Sequence, residues 1–311
     1  MLLVGLAVVA GAQRLVSWLS PDHLPFLPAA RPCVVTVGHE RVALQRDQAA
    51  NAATVAGVGV RLGMPAHAVT IALATAMQES KLHNLRSGDR DSLGLFQQRP
   101  SQGWGTTAEI RDPVHAATRF YQTLRRVSGW QSMPLTEAAQ AVQRSALPAA
   151  YAKHEADART LAVAFTGQAQ AAVTCRIPVP QGGHQALTST GLTPRAQHAL
   201  DATQSVWGRE SVGGFAPGGV SSGHMEGSAH YEGRAVDVFF RPADATHRRE
   251  GWALAHWLVT NAPSLRLATV IYDDRIWTAA RSKEGWRPYR SDDPSNAIKQ
   301  HRDHVHLDVV P

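Results

Sequence analysis

A chain of 311 residues, 44% hydrophobic and 18% charged, is long enough for about two globular domains and too well mixed for a disordered or collagen-like protein. Its net charge of +6 comes from basic residues that are scattered rather than clustered, which argues against a nucleic-acid partner and suits adhesion to anionic envelope polymers. The two cysteines, Cys33 and Cys175, have no C-x-x-C spacing, so a cysteine zinc site is unsupported. An even pair in an exported chain suggests a disulfide instead.

Residues 1–23 are expected to be a signal peptide or a signal anchor. Leu2–Ala10 is apolar but shorter than the roughly 20 residues of an ideal membrane span, and Arg14 interrupts it before Leu15–Leu19 continues. Either reading places the remaining chain outside the cytoplasmic membrane, secreted or tethered. A leader segment, 24–47, follows.

Residues 48–176 read as a run of helices with few strand signals. Val69, Ala72, Leu73, Ala76 and Met77 recur at helical spacing after Pro65. Glu79 then falls on the margin of the buried stripe, where partial desolvation raises a carboxyl pKa and makes it a candidate general acid. Asp112-Pro113 opens another helix and Thr136 is expected to cap the next, which stops at Pro148. Asp89 and Asp91 are candidates for a second carboxylate or for turn shaping. Trp104 and Trp130 suit either sugar platforms or the core, the core being the commoner fate of such aromatics.

Residues 177–192, rich in Pro, Gly, Gln, Ser and Thr, read as a linker. From 193 the pattern turns α+β: a helix from Thr193-Pro194 to near Trp207, a Gly-rich loop from Gly213 to Gly227, a strand over 235–240, a helix over 252–262, a hairpin across Asp273-Asp274 and a last strand at 304–309. In that last strand His304, His306 and Asp308 alternate with Val305, Leu307 and Val309, so both histidines share one face, about 7 Å apart. Gly233 permits a turn that swings His230 back toward Asp237. His230, Asp237 and His306 fit the three ligands of a catalytic zinc, whose fourth position stays open. His224, His247, His256 and His301 lack matched spacing and are expected at the surface or in loops, with His224 and His301 close enough to the motifs to touch substrate.

Ser228-x-His230-x-x-Gly233-x-Ala235-x-Asp237 followed by His304-x-His306 resembles the LAS-type zinc peptidases, the group of VanY-like D,D-carboxypeptidases, VanX-like D-Ala-D-Ala dipeptidases and penicillin-insensitive murein endopeptidases. The resemblance implies a Zn2+ cofactor held by His230, Asp237 and His306, His304 as base with Asp303 as its orienter, and Ser228 at the peptide site. Glu79-Ser80 followed by Ser92-Leu-Gly-Leu-Phe-Gln97 resembles the lysozyme-like lytic transglycosylases, with Phe96 where that family has methionine. This implies Glu79 as catalytic acid, Ser80, Gln97 and Gln98 at the glycan, and transglycosylase and muramidase chemistry both open. Ala138–Ser145 departs from that family's Ala-Tyr-Asn-Ala-Gly motif. Gln140 or Gln143 could replace its sugar-binding amide, while the tyrosine of that wall is missing.

Together the resemblances imply a multidomain protein, an all-α lysozyme-like domain followed by an α+β LAS-type zinc peptidase domain (193–311). The expected activity is bifunctional hydrolysis of peptidoglycan, in glycan strands and in stem peptides or cross-links. A cell-wall-binding protein with one or neither activity is the alternative.

Overall fold

The computed structural model describes residues 30–144 and 148–311. The expected signal segment, 1–23, lies outside them. No helix among the described residues is long and apolar enough to cross a membrane.

The segment expected as a leader is a β-hairpin, β1 (Cys33–Val37) and β2 (Glu40–Leu44), and β1 also pairs with β3 (Val173–Cys175) in a three-stranded antiparallel sheet. The helical half is therefore not all-α. Cys33 and Cys175 are partners in the β1–β3 register and are joined by a disulfide, which suits an extracytoplasmic protein. Between these strands run α1 (Arg46–Arg61), α2 (Ala66–Ser80), the short α3 (Thr107–Ile110), α4 (Pro113–Leu124), α5 (Leu135–Gln143), a 3₁₀ turn over Pro148–His154 and α6 (Glu155–Phe165).

Asp112 caps α4 by accepting from Val114 N–H, with Pro113 at the first helical position, where a missing N–H costs nothing. α5 begins one residue before the expected cap: Pro134, with its preset φ, holds the N-cap position instead of Thr136. α2 is apolar on nearly every face because α1, α5 and α6 pack around it. It ends at Lys81 in the left-handed region, which turns the chain out just past Glu79 and Ser80.

The second half holds α7 (Pro194–Trp207), β4 (Val212–Gly213), a 3₁₀ turn over Ala229–Glu232, β5 (Ala235–Phe239), α8 (Ala245–Leu265), β6 (Leu267–Tyr272), β7 (Arg275–Thr278), a 3₁₀ stretch over Ala279–Glu284, β8 (Arg287–Pro288) and β9 (His304–Val309). Its six strands form an antiparallel sheet in the order β4-β5-β9-β6-β7-β8. Asp273 and Asp274, both at positive φ, make the two-residue turn between β6 and β7, as right-handed strand twist favours. Val236, Val238, Val305 and Leu307 are fully buried on one sheet face, and α8 packs against β6 and β9 there.

The two halves share a core. α8 packs on α1 and α6 as well as on its own sheet, and from Pro32 onward the chain is one compact unit. Trp257 Nε1 donates to Thr54 Oγ1 at 3.0 Å. His256, expected at the surface, is fully buried: its Nε2 accepts from Ala172 N–H at 3.1 Å and its Nδ1 donates to the Ala164 carbonyl at 2.9 Å. Desolvation pushes His256 down to about 4, only partly opposed by the Ala164 hydrogen bond, so the ring is neutral. The connecting segment 177–192 has no helix or strand, yet it is tied down: Gln185 Oε1 accepts from Arg195 N–H, and Arg195 Nη1 donates to the Gly183 carbonyl at 2.8 Å.

Candidate metal centre and a second acidic site

Pairing of β5 with β9 sets Asp237 opposite His306 and Phe239 opposite His304, on the sheet face turned away from α8. The 3₁₀ turn over Ala229–Glu232 brings in the third donor. Ser228 caps that turn by accepting from His230 N–H, and Gly233 ends it at φ 64°. Ser228 is thus a cap in this arrangement as well as a residue of the pocket wall.

Three donor atoms converge. His230 Nε2 lies 3.1 Å from His306 Nδ1 and 3.2 Å from Asp237 Oδ1, and His306 Nδ1 lies 3.1 Å from that same oxygen. Tetrahedral ligands about 2.0–2.1 Å from a zinc would stand roughly 3.4 Å apart, so the donor set fits such an ion with a few tenths of an ångström of expansion. The outer nitrogens are also held as metal-binding imidazoles usually are. His230 Nδ1 donates to the Gly214 carbonyl at 2.7 Å, and His306 Nε2 faces Asp308 Oδ2 at 3.3 Å.

Gly214, at φ 80°, is required for that contact, because a Cβ there would fall 2.2 Å from His230 Cε1. Burial pulls His306 down, but hydrogen bonds to Asp237 and Asp308 outweigh it and lift the ring to about 9. Burial likewise pushes the Asp237 carboxyl up, and hydrogen bonds from His230 and His306 more than reverse this. Such a centre attracts cations.

His304 stands beside this group, its Nε2 3.8 Å from Asp237 Oδ1. Its Nδ1 donates to Asp303 Oδ1 at 2.7 Å, and Asp303 Oδ2 accepts from Arg241 Nε at 2.7 Å. Burial would raise the Asp303 carboxyl, but the bonds from His304 and Arg241 hold it below its usual value. The pair is therefore a carboxylate-oriented imidazole with Nε2 turned inward.

Two histidines complete the cluster, and neither lies free in a loop. His224 stacks on His230 with ring centroids 3.9 Å apart. Together with His230 and Asp237 it forms a group whose ligand atoms all lie within 4.8 Å of one another, a triad that could bind a metal. His301 packs against His304 and His306, its Nδ1 is buried without a partner, and burial together with the charge of its neighbours pushes it down to about 3. The centre opens into a pocket of about 980 Å³ lined also by Met225, Phe239, Ile271 and Tyr289.

Glu79 lies in the other half. Desolvation raises its pKa against hydrogen bonds from Tyr151 and Gln143, the Tyr151 hydroxyl lying 2.8 Å from Oε1. Other residues expected at the glycan do structural work. Ser80 is buried with its hydroxyl 2.7 Å from the Leu95 carbonyl, which straps the helix end to the Gly94 loop, and Gln98 is buried, donating to the Ala116 carbonyl. Both side chains are engaged within the protein. Gln97, at positive φ, accepts from Ser92 Oγ and donates to the Gly94 carbonyl.

Gln140 is half-buried on α5, whereas Gln143, one turn on, is the amide beside Glu79. Asp91 is held in the loop by Arg99 and Ser101, and Asp89 is exposed. Trp130 is buried in the core.

The second half is thus an antiparallel sheet carrying a metal-competent histidine–aspartate cluster. The family model described as the VldE C-terminal domain matches residues 188–301, which takes in His224, His230 and Asp237 and ends before Asp303. Curated proteins contain no match to the chain.

Proposed function

We propose that the chain is an extracytoplasmic peptidoglycan hydrolase, a zinc-dependent peptidase of LAS type joined to a lysozyme-like or lytic-transglycosylase-like glycan-cleaving half. The observation that carries this reading is the donor triangle of His230 Nε2, Asp237 Oδ1 and His306 Nδ1 beside the His304–Asp303 pair. When bound, the ion supplies Lewis acidity toward a carbonyl and lowers the pKa of a water.

The chain's own residues do the rest. His230, Asp237 and His306 hold the ion. His304, kept in the Nδ1–H tautomer by Asp303, takes a proton at Nε2 from the attacking water and returns it to the departing amine nitrogen. Arg241 keeps Asp303 charged and in place.

The raised pKa of Glu79 favours a second activity. Protonated Glu79 gives its proton to the glycosidic oxygen; the carboxylate then removes one from the sugar's own hydroxyl or from water. The test is digestion of purified peptidoglycan by the zinc-loaded protein, with products identified by mass spectrometry. Shortened or uncrosslinked peptides together with anhydro or reducing muramyl ends support both activities. No products from folded, zinc-bound protein would overturn the reading in favour of a wall-binding role.

A further inference from the structure

We infer that His224 is a displaceable fourth protein ligand, which closes the metal centre at rest and leaves it when an oxygen donor enters the pocket. This rests on the reading that His230, Asp237 and His306 hold a metal. His224 brings a ligand atom within 4.8 Å of ligand atoms of His230 and Asp237, close enough that a small inward turn of its ring would reach the roughly 3.4 Å spacing of ligands on one zinc ion.

Its backbone is fixed to the same turn that carries His230. The His224 N–H donates to the Tyr231 hydroxyl at 3.0 Å, and that hydroxyl donates to the His224 carbonyl at 2.5 Å. The side chain is held differently from those of its neighbours. His230, His304 and His306 each have an outer nitrogen paired with a carbonyl or carboxylate, the arrangement that locks a permanent ligand. The His224 ring has no such acceptor among the described residues, and only stacking on His230, with the planes 18° apart, positions it.

A ring nearly parallel to His230 does not aim its lone pair at an ion lying in the His230 plane, so coordination requires a turn about the side-chain bonds, which nothing obstructs by hydrogen bonding. The adjoining chain is built for such adjustment, with Gly218, Gly219, Gly223 and Gly227 all at positive φ. Four protein ligands make a closed site, and three leave a position for chemistry. One clasped backbone with one untethered ring can supply both states.

Residue 224 can be tested for direct contact with the ion. The full-length protein, His224→Cys and His224→Ala are loaded with Co2+ alone, and Zn2+ affinity is measured by competition with a chromophoric chelator, with His306→Ala as reference. The expected results are a thiolate-to-cobalt charge-transfer band in His224→Cys, a change in the visible cobalt bands of His224→Ala, and a loss of zinc affinity in the alanine variant of at least about tenfold. His224→Cys without that band, together with His224→Ala binding zinc as the parent does while His306→Ala does not, overturns the role of His224 and leaves the three-ligand reading standing. A parent protein that binds neither ion overturns both.

Discussion

The Tyr151 hydroxyl donates to Glu79 Oε1 across 2.8 Å, from a 3₁₀ turn that reaches α2 after the whole of α3, α4 and α5 has intervened. That bond stabilises the ionised carboxylate and so opposes the burial that raises the pKa. Tyr151→Phe should therefore raise the Glu79 pKa further and move the alkaline limb of glycan cleavage to higher pH, because the acid stays protonated longer. Glu79→Gln should abolish glycan products and spare peptide products. Both are read from mass-spectrometric product profiles across pH.

On the proposed function, removal of the metal should separate the two activities. Chelation, or alanine at His230, Asp237 or His306, should eliminate peptide cleavage and leave glycan cleavage intact. Asp308→Ala removes only the carboxylate behind His306 Nε2, and a loss of roughly 10- to 100-fold in zinc affinity is expected. Gly214→Ala should match or exceed that loss, since a Cβ there displaces His230. Chelator competition measures each affinity, and wild-type affinity in Gly214→Ala would refute the packing argument.

His256 makes stability depend on pH in a defined window. Its folded pKa, about 4, lies below the ordinary 6.5, so between these values the unfolded chain binds a proton that the folded chain refuses. Stability contributed by the neutral ring is present above pH 6.5 and is lost as pH falls toward 4, by up to about 3 kcal/mol. His256→Gln should flatten the slope of unfolding free energy against pH in this window, whatever it does to the absolute value. Denaturant melts at several pH values read that slope.

Reducing the Cys33–Cys175 bond opens a loop spanning 142 residues of separation, for which chain entropy predicts a loss of about 5 kcal/mol. Thermal melts with and without reductant should show a marked drop in Tm, and Cys33→Ser should reproduce it without reductant.

The convergence of His230, Asp237 and His306 was legible because it is carried by short, ordered patterns: the alternation through His304–Val309 puts both histidines on one face, and the β5–β9 register places His306 opposite Asp237. The residues that hold those side chains were harder to see. Gly214 and Arg241 act through one contact each with a side chain distant in sequence, and one glycine in a Gly-rich loop carries no local mark; Asp308 lies two residues from His306 on the same strand face. His224 and His301 lack matched spacing and are legible only as neighbours of the motifs, because a loop places side chains by its path rather than by a period. The union of the two halves was hidden for a different reason. α8 is apolar around most of its circumference, so its pattern does not reveal that it serves the sheet on one side and α1 on the other. The hairpin of β1 and β2 escaped notice because only pairing with β3 and the disulfide gives it a partner.

β9 sits between β5 and β6 in its sheet, yet it follows every other strand of that sheet in the chain. A nascent or truncated polypeptide ending before His304 lacks two imidazoles and also the rail that joins the sheet's two flanks. Closing the sheet and bringing His304 and His306 up to His230 and Asp237 are therefore a single event.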